Sequence, residues 1–548
     1  GEREERRERE REGEQEGGEH HSGRLVGPTL RAMSRSLLLG AMRPAKLARL
    51  GGSTRSLLCR RLSTAAAPSE REEEEEWERA FVRATDDVSG ARSHADSAAA
   101  MRALVRTGLL RNTDLRDRPE RFFKAHRLLA RHAVAHGPGF WIRFTVHYNL
   151  CFGTVLAVGG PEQIASLDTS QAAGELGCFA LTEKLAGVQS GLLVQTQARY
   201  DFATEEFILS TPSPGAAKNW ISQGFTADKA VVLADLTVGE DRKGPHAFLM
   251  DLRNNGQLVP GVSVGDMGIK TTGNDLDNAW IAFDNVRLPR SALLDAHAGI
   301  DAQGNYTQRT KGISPFEMIG QRLYTGRVAV AQAALSYCRK LFEVTRQYAD
   351  NKPIWSPFTR AGEAQPSLSS IPQLQSLYGE AEESLAELDA FVGACEKRLI
   401  PLLRVGGVPD AELAHAIATA KVKAVERSID LCWRLKQEVG SYALMGDSGF
   451  AHLDFLNCCK FAEGDSRVLM QKMARDRLRR FVKEAKEANA AASQLGEESQ
   501  LCAKLAGKMA AAKGDKRSEA AIWDAEWRTV YQLAEATMQR TLKEVREV

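Results

Sequence analysis

Apolar residues change their spacing twice along the chain. From about residue 77 to 173 they recur at helical spacing, whereas the middle of the chain has short apolar runs separated by turn residues. Helical spacing returns beyond Gly312. The pattern predicts an α+β fold in which a small antiparallel barrel or sandwich separates two helical regions. The predicted boundaries are 70–177 for an N-terminal helical domain, 178–300 for the β domain, 312–485 for a C-terminal helical bundle and 486–548 for a helical extension.

The first 69 residues do not share this patterning. Residues 2–19 contain Arg and Glu with little else, which is typical of a solvated segment with no apolar face to bury. Residues 33–69 carry Arg and Lys among Leu, Ser and Ala, with no acidic residue, and 60–64 resembles a processing site. We interpret residues 1–69 as a disordered leader with a transit peptide, and expect a mitochondrial location. A basic linker and a peroxisomal location are the alternatives.

Composition and charge narrow the class further. The 548 residues are 43% hydrophobic, which is enough for a large core, and the net charge of +2 gives no general attraction to nucleic acid. A basic stretch at 473–486 is interrupted by Glu484, and a solvated helix face explains it. Nine cysteines without a CxxC motif argue against a zinc ribbon. No apolar run approaches the roughly 18 residues of a membrane span. We expect no metal, no nucleic acid and no membrane span.

Four strings along the chain carry more specific information. They are Cys178-Phe179-Ala180-Leu181-Thr182-Glu183, Lys218-Asn219-Trp220-Ile221-Ser222, Gly273-Asn274-Asp275-Leu276-Asp277-Asn278 and Phe461-Ala462-Glu463-Gly464. In this order they resemble the acyl-CoA oxidase and acyl-CoA dehydrogenase flavoprotein superfamily, and the strand-rich middle is closer to the oxidases. The resemblance implies FAD, an acyl-CoA substrate and a helix, barrel, helix architecture.

The proposed chemistry requires one basic carboxylate. Removing two hydrogens from the α and β carbons of a thioester needs a base for the α proton and stabilisation of the developing enolate. Glu463 lies between apolar residues and Gly464, and it matches the base of the common dehydrogenases. A dry pocket would raise its basicity. The resemblance further implies that its N–H and a ribityl hydroxyl of FAD bind the thioester carbonyl. An ordinary Glu near a helix start is the alternative.

The same resemblance assigns contacts with the flavin ring. Trp220 corresponds to a Trp that packs against the isoalloxazine, while Thr182 and Ser222 would hydrogen-bond its polar edge. Phe179 and Leu181 would line the same wall. A ring with an apolar face and a polar edge needs both kinds of contact. Taken singly, these residues are equally typical of a core tryptophan or a strand threonine.

A second set of residues is implied to serve a neighbouring subunit. The segment 437–441 resembles one that receives the adenine half of a partner's FAD, and Gln437, Gly440 and Ser441 are its candidates. Lys352 stands where relatives carry an Arg for the partner's FAD pyrophosphate, and lysine meets a phosphate only as a point charge. The resemblance therefore implies a homodimer or homotetramer. Arg327 matches an arginine close to the active site, and a surface salt bridge is its alternative.

Three departures from the family pattern affect the cofactor site. Relatives have a Gly-x-Gly-Ser turn after the Thr-Glu pair, and here Gly187 alone remains of the two glycines. The position of the serine is Val188 in one register, and Ser190 takes its place if the alignment has a gap. Ser190 and Arg327 are the candidates for substrate binding. Asp465 follows Glu463-Gly464, where a carboxylate would repel a diphosphate unless a cation such as Arg467 neutralises it. Flavin binding is still the prediction.

The sequence thus predicts FAD-dependent oxidation of fatty acyl-CoA to trans-2-enoyl-CoA, with Glu463 as base and O2 as the electron acceptor. One alternative is a dehydrogenase that passes electrons to an electron-transfer flavoprotein. The basic leader favours that alternative, as do the mere 85 residues after Glu463. Another alternative is a noncatalytic acyl-CoA-binding or protein-binding subunit on the same fold.

Overall fold

The structure is a computed structural model that describes residues 70–86, 93–187, 194–310, 315–488, 496–512 and 514–546. The predicted leader 1–69 and the candidate Ser190 lie outside these residues. The first region is helical, and a π-helical segment at Val146–Cys151 directly joins the helices Gly139–Thr145 and Phe152–Val158. Its helices are α1 (Glu70–Asp86), α2 (His94–Thr107), α3 (Asp114–Asp117), α4 (Pro119–His136), α5 (Gly139–Thr145), α6 (Phe152–Val158) and α7 (Pro161–Ala173).

The middle of the chain contains the strands, as the sequence predicts. They are β1 (Gly177–Ala180), β2 (Gln197–Asp201), β3 (Glu206–Ser210), β4 (Lys218–Ser222), β5 (Lys229–Val238), β6 (Asp241–Asp251), β7 (Arg253–Asn254), β8 (Gln257–Leu258), β9 (Val262–Asp266), β10 (Asn278–Phe283), β11 (Val286–Pro289), β12 (Ala298–Ile300) and β13 (Tyr306–Gln308).

The main sheet is mixed, which differs from the predicted antiparallel barrel. Its order is β1-β5-β2-β3-β11, with β6 also paired to β5. Both β1 and β2 run parallel to β5, at successive parts of its length. The strands β4, β10 and β9 form a separate antiparallel sheet. The two sheets do not close into a barrel. Short apolar runs predict strands, but they carry no information on strand direction.

Helices return after the strands and continue to the end of the described chain. They are α8 (Pro315–Asn351), α9 (Pro372–Val405), α10 (Ala411–Glu438), α11 (Asp454–Phe461), α12 (Ser466–Ala488), α13 (Glu497–Ala510), α14 (Lys516–Ala525) and α15 (Trp527–Arg546). The predicted order of helices, strands and helices is therefore confirmed. No described helix combines the length and the apolarity that a bilayer-spanning helix needs.

One hydrophobic core joins the helices on both sides of the strands. Phe144 and Phe152 from the first region share it with Leu335 of α8 and Ile417 of α10, all fully buried. The strands have their own core, and a third small core holds α12 to α15 together around Trp523. The first and last helical regions are thus packed as a single layer, and α8 contributes to its core.

A buried ion pair attaches this helical layer to the strands. The guanidinium of Arg143 on α5 lies 3.1 Å from Oδ1 of Asp277, and both side chains are buried. Asp277 also accepts hydrogen bonds from the N–H of Phe225 and the hydroxyl of Thr226. Asp277 belongs to one of the four family-like strings. Its contacts show that this string holds the two layers together.

Candidate active site

Glu463 occupies a turn of unusual backbone conformation between α11 and α12. Its φ is 58° and that of Gly464 is 93°, so two successive residues are left-handed. This conformation is unfavourable for a residue with a side chain, and such strain is concentrated at functional sites. The turn directs the Glu463 side chain inward, where it is only 8% exposed. Glycine at 464 accommodates the second left-handed position without cost.

Two basic side chains hold this turn in place. Nε of Arg327 on α8 donates to the backbone oxygen of Glu463 at 3.0 Å. Nζ of Lys421 on α10 donates to the backbone oxygens of Lys460 at 2.5 Å and Gly464 at 3.0 Å. It also donates to the hydroxyl of Ser466 at 3.0 Å. Lys421 therefore joins the end of α11, the turn and the start of α12, which fixes the position of Glu463.

The Glu463 carboxyl is dry and has few partners. Nδ2 of Asn149 lies 3.4 Å from Oε1, and Oε2 is buried with no hydrogen-bond partner among the described residues. Burial raises the pKa of Glu463 to about 7, although Arg327, Asn149 and Lys421 each act to lower it. A carboxyl with a pKa near 7 is suited to act as a general base at neutral pH.

The residue beside this carboxyl is Gly326, on the inner face of α8. A Cβ at position 326 would lie 2.1 Å from the carboxyl carbon of Glu463. No side chain larger than hydrogen therefore fits there while the carboxyl keeps its place. Gly326 reserves the space that the Glu463 side chain occupies.

Asn149 reaches Glu463 from the π-helical segment. Its amide donates to the backbone oxygen of Arg322 at 3.2 Å as well as pointing at Oε1 of Glu463. A π-helical turn widens the helix locally, and such turns are frequent at functional sites. The same segment touches the strands, because a Cβ at Gly177 of β1 would lie 2.4 Å from Sγ of Cys151. The helix carrying Asn149 thus connects Glu463 with the first strand.

The raised pKa of Glu463 predicts a pH-dependent cost in stability. Between pH 4.5 and about 7 the folded protein keeps a proton that the unfolded chain has lost, so stability falls as pH rises through this window. The amide of a Glu463→Gln variant cannot ionise. As pH rises from 4.5 to about 7, the free energy of unfolding of this variant should therefore increase by about 3 kcal/mol relative to that of the wild type. This difference should begin near pH 4.5 and continue to grow above pH 7 only until both pKa values are passed. Urea unfolding at several pH values measures this, and a pH-independent difference would contradict it.

The residues predicted to contact the flavin ring lie on β1, in the segment directly after it, and on β4. Trp220 is 57% exposed, and its φ of 57° is left-handed. It lies in a β-bulge, where Asn219 and Trp220 of β4 are opposite the single residue Trp280 of β10. The N–H of Asn219 donates to the backbone oxygen of Thr182 at 2.8 Å, which holds the 181–183 segment beside β4. A large exposed aromatic ring in a strained bulge is typical of a binding surface.

The remaining ring-wall candidates border the same surface. Ser222 ends β4, and its hydroxyl accepts a hydrogen bond from Nδ2 of Asn278 at 3.1 Å. Phe179 and Leu181 are partly buried and pack against the helical core. The segment with Phe179, Leu181 and Thr182 thus lies beside β4, which carries Trp220 and Ser222, so an aromatic ring and two hydroxyl groups occur on neighbouring segments. This combination fits the isoalloxazine ring.

A buried ion pair supports this wall from behind. Nζ of Lys218 lies 2.9 Å from Oε1 of Glu183, and neither side chain is exposed. Glu183 also accepts from the N–H groups of Gln195 and Thr196. Burial lowers the pKa of Lys218 to about 8, while Glu183 acts to raise it. Glu183 thus holds residues 195 and 196 close to Lys218 of β4, and Gly187 is exposed.

The candidates for a partner's cofactor lie far from Glu463. Lys352 follows the end of α8, and Arg327 lies about 36 Å from that end at the usual rise of an α-helix. Gln437, Gly440 and Ser441 are exposed at the end of α10. Tyr348 in the last turn of α8 stacks on Tyr442, with ring centroids 3.7 Å apart, so the two groups share one surface. This surface and the Glu463 turn are separate sites.

Asp465 has a structural role. Its Oδ1 accepts from the N–H of Arg467 at 2.8 Å and from that of Val468 at 3.4 Å, which caps the start of α12. The guanidinium of Arg467 instead lies over the ring of Tyr531. The sequence predicts that the Asp465 carboxylate would repel a diphosphate unless a cation neutralises it. In the structure this carboxylate is bound by backbone N–H groups. Arg467 contacts it through its peptide N–H and not through its guanidinium.

The fold defines a class. The described chain has the fold shared by acyl-CoA oxidases and acyl-CoA dehydrogenases, and the resemblance predicted from its motifs is confirmed. The protein is similar to acyl-CoA oxidase 2 of Yarrowia lipolytica, with 32% identity over 384 residues, covering 65% of this chain and 52% of the relative. It is 30% identical to human peroxisomal acyl-CoA oxidase 3 over 351 residues, covering 59% and 48%. No protein-family model matches the chain.

A solved structure supports the same class at the level of the fold. Acyl-CoA oxidase-2 of Caenorhabditis elegans, bound with FAD, ascaroside-CoA and ATP, superposes with a TM-score of 0.69 at 18% identity. The alignment covers 86% of this chain and 76% of that structure. The chain spans about half the length of the curated relatives it matches.

The expected mitochondrial location is wrong. The relatives that the chain matches include oxidases named peroxisomal, from human and from Arabidopsis thaliana, and none of this supports a mitochondrial location. The basic composition of residues 33–69, on which the expectation rested, is a general property that organelle leaders share with other basic segments.

Proposed function

We propose that the protein is a flavoenzyme that oxidises acyl-CoA to trans-2-enoyl-CoA, and that Glu463 removes the α proton. The observation that carries this proposal is the Glu463 carboxyl, which is buried with a pKa of about 7 in a strained turn held against α8. Such a carboxyl accepts a proton at neutral pH. The relatives that the chain matches in sequence are acyl-CoA oxidases, and this supports the same reaction.

The residues of this chain divide the work of the reaction. Glu463 breaks the α C–H bond by taking its proton, the electron pair of that bond becomes the new double bond, and the β hydrogen leaves as hydride. The hydride passes to FAD when that cofactor is bound. The backbone N–H of Glu463 donates no hydrogen bond to any described residue. This N–H is therefore free to bind the thioester oxygen, on which charge develops as the α proton leaves.

The cofactor contacts follow from the exposed surface at β4. Trp220 would pack against the flavin ring, Thr182 and Ser222 would bind its polar edge, and Phe179 and Leu181 would complete the wall. Gly187 and Ser190 would approach the pyrophosphate. Gly464 gives the Glu463 turn its shape beside the ring.

We further propose that the enzyme is at least a homodimer. Lys352, Gln437, Gly440 and Ser441 lie too far from Glu463 to serve the same active site, so they would hold the adenine half of a partner's FAD. Their surface carries exposed apolar side chains, among them Phe358 at 92% and Leu444 at 80%. Exposed apolar surface of this kind is typical of a protein interface.

A visible spectrum tests the function directly. The purified protein should carry a flavin band, and mixing it without oxygen with short-, medium- and long-chain acyl-CoA should bleach that band. Fast recovery and peroxide on opening to air would mark an oxidase, which the oxidase relatives favour, and a persistent bleached state would mark a dehydrogenase. A missing band, or one that no thioester bleaches, would contradict the proposal and favour a noncatalytic binding subunit.

A further inference from the structure

Arg322 is a buried cation near the candidate base, and the reaction proposed above does not use it. Its side chain is 5% exposed, and its Nε has no hydrogen-bond partner in the described part of the chain. Burial lowers the pKa of Arg322 to about 10, and no carboxylate among the described side chains acts to raise it. At neutral pH the guanidinium is therefore a buried positive charge for which the described part of the chain supplies no counter-ion.

Such a group is unfavourable unless something pairs with it. The same protein shows how a structural arginine is satisfied. Arg143 is also fully buried, and its guanidinium donates to the carboxylate of Asp277, to two hydroxyls, to an amide oxygen and to two backbone oxygens. Arg322 has nothing comparable. The contrast indicates that its partner is a ligand.

The position of Arg322 connects it with the Glu463 site. Arg322 and Gly326 are four residues apart on one face of α8, which corresponds to about 6 Å along the helix axis. Gly326 is the residue against which the Glu463 carboxyl lies. Asn149 bonds the backbone oxygen of Arg322 and also points at Glu463. The Arg322 side chain then runs across α6, where a Cβ at Gly153 would lie 3.5 Å from its Cδ.

Other polar atoms in this region also have no partner. Oδ1 of Asn149, Oε2 of Glu463 and the hydroxyl of Thr325 are buried and unbonded among the described residues. Buried polar groups in proteins are almost always bonded, so a local group of exceptions calls for a physical explanation. A polar ligand between α8 and the π-helical segment supplies one.

We propose that the substrate of this site is an acyl-CoA whose acyl group ends in a carboxylate, and that Arg322 binds this carboxylate. The inference rests on the proposed function. A carboxylate brings one negative charge, which matches the one charge of Arg322, and it can accept two parallel hydrogen bonds from the guanidinium. The 3′-phosphate of CoA, a monoester, carries nearly two charges. Because only about one helical turn separates Arg322 from Gly326, the acyl group is short.

The test compares thioesters of equal carbon number in the flavin-loaded enzyme. Adipoyl-CoA is paired with hexanoyl-CoA, and suberoyl-CoA with octanoyl-CoA. The wild type should prefer the carboxylate-bearing member of at least one pair in kcat/KM. Arg322→Met should lower kcat/KM for that thioester by about 10²-fold, because the carboxylate is then left unpaired in a dry site, and should leave its uncharged counterpart unchanged or improved. Arg322→Lys should keep part of the preference.

Binding and folding provide readouts that do not depend on turnover. In the Glu463→Gln background, Arg322→Met should raise the Kd of adipoyl-CoA by about 10²-fold and leave the Kd of hexanoyl-CoA unchanged. Arg322→Met should also melt no lower than the wild type, since it removes an unpaired charge. Arg339→Met is the matched control, because Arg339 lies on the same helix and pairs with Asp389 at the surface.

Three results would overturn the inference. They are a wild type that favours the uncharged member of both pairs, an Arg322→Met variant with unchanged preference, and an equal loss for both members, which would assign the anion to CoA. Bleaching by hexanoyl-CoA with any of these results would leave the proposed function standing. Failure of every thioester to bleach the flavin would contradict the proposed function and this inference together.

Discussion

Acyl-CoA should reduce the flavin of the Glu463→Gln variant about 10²- to 10⁴-fold more slowly than that of the wild type, which is the usual contribution of a general base. The glutamine side chain of this variant has nearly the shape of the glutamate and can still face Asn149, but it cannot accept the α proton. Stopped-flow mixing with acyl-CoA in the absence of oxygen, followed at the flavin band, measures this rate.

The pH dependence of the wild-type rate provides an independent check. The base acts in its ionised form, so the rate should increase with pH and level off above the pKa of about 7. Glu412→Gln is the matched control, because Glu412 is exposed at the start of α10 and pairs with Arg398. A Glu463→Gln variant that keeps the flavin and reduces it at the wild-type rate would exclude Glu463 as the base.

The sequence was informative where local pattern determines structure. Apolar spacing predicted the order of helices, strands and helices, because each period reflects how an element buries one face. The string around Glu463 pointed to a carboxyl among apolar residues, and the structure places that carboxyl in a buried turn. The direction of β1 and β2 relative to β5 was not predictable, since strand pairing is decided by residues far apart in the chain.

The neighbours of Glu463 were missed for the same reason. Asn149 lies 314 residues away along the chain, and its reach depends on a π-helical turn that no apolar pattern reports. Lys421 lies in a helical run of small and apolar residues. Because lysine is mostly exposed in proteins, the sequence predicts that its side chain faces solvent. Arg322 and Gly326 precede Arg327, which is the one residue of this segment that the family resemblance singled out. A charged residue on the buried face of a predicted helix is the signal that could have found Lys421 and Arg322.

The second large effect is expected from Gly326→Ala. The added methyl group would lie 2.1 Å from the carboxyl carbon of Glu463, closer than two such atoms can approach, so the carboxyl must move. The end of a glutamate side chain moves easily, and the fold should therefore survive. The reaction should not, because displacing a catalytic group by about 1 Å can cost about 10²-fold in rate. Flavin reduction by acyl-CoA measures the loss.

Gly320→Ala is the matched control on the same helix. A Cβ at position 320 meets no atom within 4 Å, so this variant should keep the wild-type rate and gain up to about 1 kcal/mol from the helix propensity of alanine. Equal rates for both variants would contradict the assigned position of the carboxyl. In the Glu463→Gln background, Gly326→Ala should cause little further loss, because both substitutions act through the same group and such effects are not additive.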